Sequence, residues 1–148
     1  MELLLLKLLH VASAIVAVGA NVTFAIWMSR AHRDRGHLVF VIETIRVLDR
    51  RLANPAYVVV LITGVLIVAR GAYSFTTGWI AAAIALYVVA VVVGVVAFGP
   101  TVRRQLAEAK RDPSSPAYDD LARMNDRLTL VTLAIVTVIL VLMVTKPL

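Results

Sequence analysis

The sequence predicts an all-α protein: a bundle of four transmembrane helices, with an amphipathic interfacial helix between the first two. The chain has 148 residues, 61% of them hydrophobic, and a mean hydropathy of +0.90. Soluble domains contain only about 45–50% apolar residues. Four stretches are long, apolar and almost free of charge, and about 20 such residues cross a bilayer core of about 30 Å. We therefore expect one integral membrane domain over residues 1–148.

The four stretches set the predicted helices. They are Leu3–Trp27, Tyr57–Ala69, Trp79–Phe98 and Leu128–Thr145. With their flanking residues, they predict helices over about 3–28, 54–73, 79–99 and 116–145, joined by charged loops at 29–53 and 100–127.

The first predicted helix carries a stripe of polar and small residues. At 100° per residue, His10, Ser13, Ala17 and Asn21 share one face. A polar stripe is costly against lipid, so we expect this face to point into the bundle. Although Ala12–Ala14 resembles a signal cleavage site, the apolar run continues past it, which favours an uncleaved helix.

Residues 38–53 form the predicted amphipathic helix. Its apolar stripe consists of Leu38, Val41, Ile42, Ile45, Leu48 and Leu52. The sequence leaves two placements open. The helix either lies in the membrane interface with its apolar side down, or packs under the bundle.

Capping signals mark where the later helices begin. Asn54-Pro55 reads as an N-cap followed by a first-turn proline, and so does Ser115-Pro116. On the third helix, Tyr87 lies on a small-residue face and needs a hydrogen-bond partner if buried. Gly99-Pro100 predicts a kink or an end of that helix, followed by a short helical continuation.

The distribution of charge predicts the topology. The net charge is +6, and each charged loop contains six Lys or Arg residues. The positive-inside rule places both loops in the cytoplasm and both termini outside. Membrane lipid is then the expected partner of the basic residues, rather than nucleic acid. Because the chain has no cysteine, disulfides, thiolate metal sites and covalent haem attachment are excluded.

Several segments together resemble one family. They are Leu6-Lys7-Leu8-Leu9-His10, Pro55 with Leu61-Ile62-Thr63-Gly64, Gly99-Pro100 followed by arginines, and the closing Met143-Val144-Thr145-Lys146-Pro147. In this order the chain resembles the bacterial integral membrane proteins called domain of unknown function 2269. The resemblance implies the bacterial inner membrane and no established activity.

In layout the chain is similar to a wider group of small four-helix membrane proteins. The group includes the copper-resistance D-like proteins and the small membrane protoporphyrinogen oxidase, which binds haem. The similarity implies that His10 matches a haem-ligating histidine in the first helix. The oxidase also uses a lysine in its third helix, and Trp79–Phe98 contains none, which argues against the oxidase activity itself.

The resulting hypothesis is a haem b protein with a redox role, in which His10 is the metal ligand. Ser13 and Asn21 share its stripe, and Arg70 lies where a propionate would sit. The second iron ligand is either Met143 or His10 of a second copy in a homodimer.

Other interpretations remain open. His10 can simply hydrogen-bond a neighbouring helix, in a non-enzymatic membrane subunit or scaffold. A copper-handling role is weaker, because there are four methionines in no cluster and no cysteine. Small-solute transport is weaker too, because few charges are buried. No Ser/His/Asp arrangement or carboxylate pair predicts hydrolysis; whether the protein is an enzyme stays undecided.

Overall fold

Four long helices make up most of the chain. They are α1 (Glu2–Arg33), α2 (Arg35–Ala72), α3 (Gly78–Arg111) and α4 (Pro116–Thr145). The computed structural model describes residues 1–147, and no strand occurs among them. Each helix contains an 18-residue window apolar enough to cross a membrane. The prediction of an all-α protein with four membrane-spanning helices is confirmed.

Two of these helices contain wider, π-helical turns. In α2 the segments are a 3₁₀ turn (Arg35–His37), α-helix (Leu38–Leu48), a π-turn (Asp49–Ala53), α-helix (Asn54–Ile67) and a second π-turn (Val68–Ala72). In α3 they are α-helix (Gly78–Val92), a π-turn (Val93–Phe98) and α-helix (Gly99–Arg111).

The predicted helix start at Asn54-Pro55 is wrong. Asn54 has helical φ and ψ of −61° and −46°, and α2 passes through it without a break. The preceding π-turn accounts for this, because the Asn54 N–H reaches back five residues to the carbonyl of Asp49. Pro55 has no N–H to donate, and the wider turn before it keeps the ring within the helix. The predicted loop 29–53 is therefore mostly helix, with only Asp34 between α1 and α2.

Helix α3 likewise continues through Gly99-Pro100. The helix does not end at Gly99-Pro100 but continues to Arg111, and the Gly99 N–H bonds to the carbonyl of Gly94 across the π-turn. A Cβ at Gly99 would lie 3.3 Å from that carbonyl oxygen. The predicted loop 100–127 is thus two helix ends joined by residues 112–115.

The main apolar core lies at the charged end of the bundle. We call the part formed by residues 29–53 and 100–127 the basic end, and the opposite part, with Glu2, Tyr73 and Lys146, the distal end. At the basic end, Leu38, Val41 and Ile42 are buried in one cluster with residues of α1, α3 and α4. The core also contains Met28, Ala31, Leu106, Ala109, Tyr118 and Ala122.

This core corrects the prediction of an interfacial helix. The amphipathic segment is the first part of α2. Leu38, Val41 and Ile42 of its apolar stripe pack under the bundle rather than along a membrane surface, whereas Leu48 and Leu52 are 40% and 47% exposed. Its polar side also binds a neighbouring helix, since Glu43 pairs with Lys110 of α3 at 2.6 Å. The second of the two open placements is the observed one.

In the apolar half, the helices pack as two antiparallel pairs. The apolar half of α2 packs mainly on α1, and α3 packs mainly on α4. Most large apolar side chains of this half point outward; Val95, for example, is 71% exposed. Apolar surface in water costs about 25 cal/mol per Å², so a continuous belt of such residues belongs in lipid.

Candidate functional site

A seam between α1 and α2 brings the predicted polar stripe together with α2. Ala17 is only 1% exposed at its centre, and Thr63 on the facing side of α2 is 3% exposed. Small residues allow this close approach of two helices in a membrane. The predicted inward orientation of the stripe follows from this contact.

His10 is held at the distal part of the seam by one ring nitrogen. Its Nδ1 lies 3.0 Å from the carbonyl oxygen of Val60 and 3.0 Å from Oγ1 of Thr63. A carbonyl can only accept, so Nδ1 carries the proton. The Thr63 hydroxyl donates to the carbonyl of Val59 at 2.6 Å, which leaves its oxygen free to accept from His10. In the neutral ring, Nε2 is then the unprotonated nitrogen with a lone pair.

Gly64 allows the imidazole to lie against α2. A Cβ at this position would be 3.1 Å from Cε1 of His10 and 3.6 Å from Nδ1. The first distance is closer than Cβ atoms normally come to a neighbour. Gly64 therefore defines the place of the ring as much as the two hydrogen bonds do.

A second polar cluster lies closer to the basic end, with Asn21 about three helical turns from His10 along α1. The amide of Asn21 donates to the hydroxyl of Tyr57. The hydroxyl of Tyr87 donates to the backbone carbonyl of Tyr57 at 2.9 Å. This second bond supplies the partner that Tyr87 was expected to need, and it connects the two helix pairs.

None of the other predicted site residues is hydrogen-bonded to His10 within residues 1–147. Ser13 is half-buried on α1, and Met143 is half-buried near the end of α4. The hydrogen bonds of His10 in the described part of the chain are all to α2. Arg70 pairs with Glu2 at the distal end. Among residues 1–147, no group of three His, Asp or Glu side chains is arranged to hold a metal ion.

Lys146 also has a partner at the distal end. Its ammonium group donates to the hydroxyl of Tyr73 at 3.0 Å and lies 5.4 Å from the centre of that ring. This hydrogen bond, together with the positive charge, lowers the pKa of Tyr73. The Tyr73 ring in turn meets Trp79 edge to face at 5.2 Å, which fixes the connection between α2 and α3.

The structure shows a polar cluster at the basic end that the sequence reasoning missed. Gln105 is 1% exposed and donates to the hydroxyl of Tyr118 at 3.3 Å. His32 contacts the edge of the Tyr118 ring, with centroids 6.2 Å apart. Oε1 of Gln105 and Nε2 of His32 are buried without a protein partner in the described chain. The helical spacing of Gln105 with Leu106 and Ala109 could have placed it on a buried face.

Comparison with known families decides the identity of the chain. A family model described as "Predicted integral membrane protein (DUF2269)" matches residues 4–147. The chain belongs to the DUF2269 family. It is therefore an integral membrane protein with four candidate spans. No curated protein and no solved structure matches this DUF2269 protein.

Proposed function

We propose that this DUF2269 protein is a haem b-binding membrane protein with a redox role, in which Nε2 of His10 is an axial ligand. The observation that carries the proposal is the hydrogen bond from Nδ1 to the Val60 carbonyl. Metal-ligating histidines commonly donate their other N–H to a carbonyl, which fixes the ring and raises the basicity of the ligating nitrogen. His10 has this arrangement within the apolar half of the bundle.

The residues around His10 fit part of what haem requires. The imidazole is oriented, its neighbourhood is apolar, and Lys7 lies one helical turn away on the distal side. Arg70 is engaged by Glu2, but both side chains are largely exposed, and such pairs contribute only about 0–1 kcal/mol. A propionate can therefore replace Glu2 at small cost. When bound, haem would supply one-electron redox chemistry.

The second axial ligand belongs to the same proposal. Met143 of the same chain would give histidine–methionine ligation. His10 of a second copy would give bis-histidine ligation in a homodimer. The spectrum of the reduced protein and its oligomeric state in detergent distinguish the two.

The test is a visible spectrum of the detergent-purified protein, oxidised and dithionite-reduced, from cells supplied with haem precursor. We expect a Soret band in the wild type that is lost or shifted in His10→Ala. His37→Ala is the matched control, because that histidine is exposed at the basic end, and its spectrum should equal that of the wild type. A colourless wild type that also fails to take up added hemin would contradict the proposal.

The second candidate function is a non-enzymatic membrane subunit or scaffold. It is favoured by the same contacts, since His10 joins α1 to α2 without any ligand. In that case His10→Ala lowers the stability of the colourless protein, and the basic end is the surface that binds partners or anionic lipid.

The basic end also carries the proposal for location. We infer that the protein lies in the bacterial inner membrane with this end in the cytoplasm. Twelve of the fifteen Lys and Arg residues belong to it, and cytoplasmic segments of membrane proteins are enriched in these residues.

A further inference from the structure

The inner face of α4 carries polar side chains that have no protein partner. Tyr118, Ala122 and Asn125 follow each other on this face at helical spacing, and Thr132 lies two turns beyond Asn125. Asn125 is 5% exposed, yet its Oδ1 has no hydrogen-bond partner within residues 1–147. A buried amide oxygen without a donor costs on the order of 1–3 kcal/mol.

Thr132 is unusual among the threonines of α4. Thr129, Thr137 and Thr145 each donate to the carbonyl four residues earlier, at 2.8–2.9 Å. The Thr132 hydroxyl is buried and has no partner in the described chain. Threonine in an apolar helix normally satisfies its hydroxyl locally, so the orientation of Thr132 indicates a partner that does not come from its own helix.

The π-turn of α3 packs against α4. Pro100 has no N–H, so a carbonyl of this turn lacks its helical donor. A Cβ at Gly94 within the turn would meet no atom within 4 Å.

A cavity opens onto the same face from the basic end. It is an open pocket at the surface with a volume of about 210 Å³. Its outer part is lined by charged side chains and its inner part by His32, Tyr118 and Ala122; the charged residues are Arg35, Asp119, Arg123 and Asp126. A water molecule takes about 30 Å³ of the liquid, so the cavity has room for several. Nε2 of His32 is buried without a partner in the described residues, as is Oε1 of Gln105, which bonds Tyr118 through its other atom.

The chemistry of these atoms selects the occupant. They are amide, hydroxyl and imidazole groups, and Asn125 and Thr132 are seven residues apart, or about 10 Å along the helix. One small ion cannot reach both, whereas a chain of water molecules bonds each in turn. Buried water typically satisfies such groups.

We propose that a water-filled crevice enters the bundle at the basic end and follows the inner face of α4 past Asn125 to Thr132. Through it, water reaches Thr132, which lies four residues inside the apolar stretch Leu128–Thr145. The crevice does not involve His10 and does not depend on the haem proposal.

The experiment uses the absence of cysteine from the chain. Single variants Asn125→Cys and Thr132→Cys are purified in lipid nanodiscs, where both ends are accessible, and treated with a charged methanethiosulfonate reagent. Only a thiol in contact with water ionises and reacts quickly. Leu130→Cys is the matched control, because its side chain lies close to the depth of Thr132 but is 66% exposed on the outer, lipid-facing side.

We expect Thr132→Cys to react at least tenfold faster than Leu130→Cys. Equal rates would overturn the proposal, and so would a fast Asn125→Cys with a slow Thr132→Cys, because water would then stop short of Thr132. Thr132→Cys changes the side-chain volume little, so its folding is not at risk.

The route is tested by adding Asn125→Leu to the Thr132→Cys variant. An apolar side chain of similar size should block the crevice and slow the reaction at Thr132→Cys at least tenfold. An unchanged rate would overturn entry from the basic end. If the double variant does not fold, labelling Thr132→Cys with the reagent supplied from one face of sealed vesicles gives the same answer.

Discussion

His10 joins α1 to α2, and its contacts with Thr63 and Val60 decide its chemistry. Both act on Nδ1, so the proton is fixed on that nitrogen. Nε2 keeps the lone pair without any need to titrate the ring. A ligand-binding role and a structural role therefore use different nitrogens of the same side chain, and the variants described above separate them.

Gly64 provides a sharper test of this geometry than removal of the histidine. We expect Gly64→Ala to lower the free energy of unfolding by about 1–3 kcal/mol, because the new Cβ would lie 3.1 Å from Cε1 of His10. The measurement is thermal or SDS unfolding in detergent. Gly19→Ala is the control, since a Cβ there meets nothing within 4 Å, and it should be neutral or stabilising. Equal effects of the two substitutions would show that the contact with His10 is not tight.

The sequence predicted the stripe of the first helix but not its partners. Periodicity places His10 and Asn21 on one face, because only the geometry of a single helix is involved. The partners Thr63 and Tyr57 depend on the register between two helices, which no single-helix pattern contains. Gln105 was missed for another reason: its segment was predicted to be a short helix, but its charged neighbours indicated a solvent-exposed one.

At the scale of the helices, Asn54-Pro55 was wrongly predicted to start a helix, whereas the helical continuation predicted after Gly99-Pro100 is present. Asn-Pro and Gly-Pro pairs usually mark boundaries, because proline cannot donate an N–H and restricts the residue before it. Here a π-turn precedes both Pro55 and Pro100, and packing at the basic end keeps the helices continuous. Ser115-Pro116 is a true start, with the Ser115 hydroxyl accepting from the Tyr118 N–H at 3.1 Å. Tertiary contacts, rather than the dipeptides, distinguish the three cases.

The packing of the first part of α2 can be tested directly. Leu38 is fully buried, whereas Phe40 on the same helix is 64% exposed. We expect Leu38→Ala to lower the free energy of unfolding by about 2–5 kcal/mol through loss of apolar contact and a residual cavity. Phe40→Ala, measured in the same unfolding assay, should change it far less. A reversed order would indicate that this segment lies with Phe40 in the membrane surface instead of packing in the bundle.

The whole molecule combines two kinds of interior. At the basic end the core is apolar and the surface is charged, as in a soluble protein. In the apolar half the outside faces lipid, and the interior contains small residues with a few polar groups. The sequence predicted this division from composition and charge, because surfaces in water carry charged and polar residues and surfaces in lipid are apolar. It did not predict the packing as two helix pairs, which depends on side-chain fit.

The proposed orientation gives a prediction for the complete chain. Alkaline phosphatase fused after Leu148 should be active in bacterial cells, and a green fluorescent protein fused there should be dark, because we place this end outside the cytoplasm. Fusions within residues 112–115, which connect α3 and α4, should give the opposite pattern. A fluorescent C-terminal fusion would contradict the orientation.

The continuity of α2 and α3 also has a mechanical consequence. A helix is stiff along its axis, and the segment of α2 before Asn54 is about 28 Å long. If the membrane half tilts by about ten degrees, the far tip of this arm would move by roughly 5 Å. The π-turns Asp49–Ala53 and Val93–Phe98 lie at the boundary between the charged and the apolar part of α2 and of α3. A small rearrangement among lipid-facing helices would therefore be amplified into a displacement of the charged surface, with these two turns as the pivots.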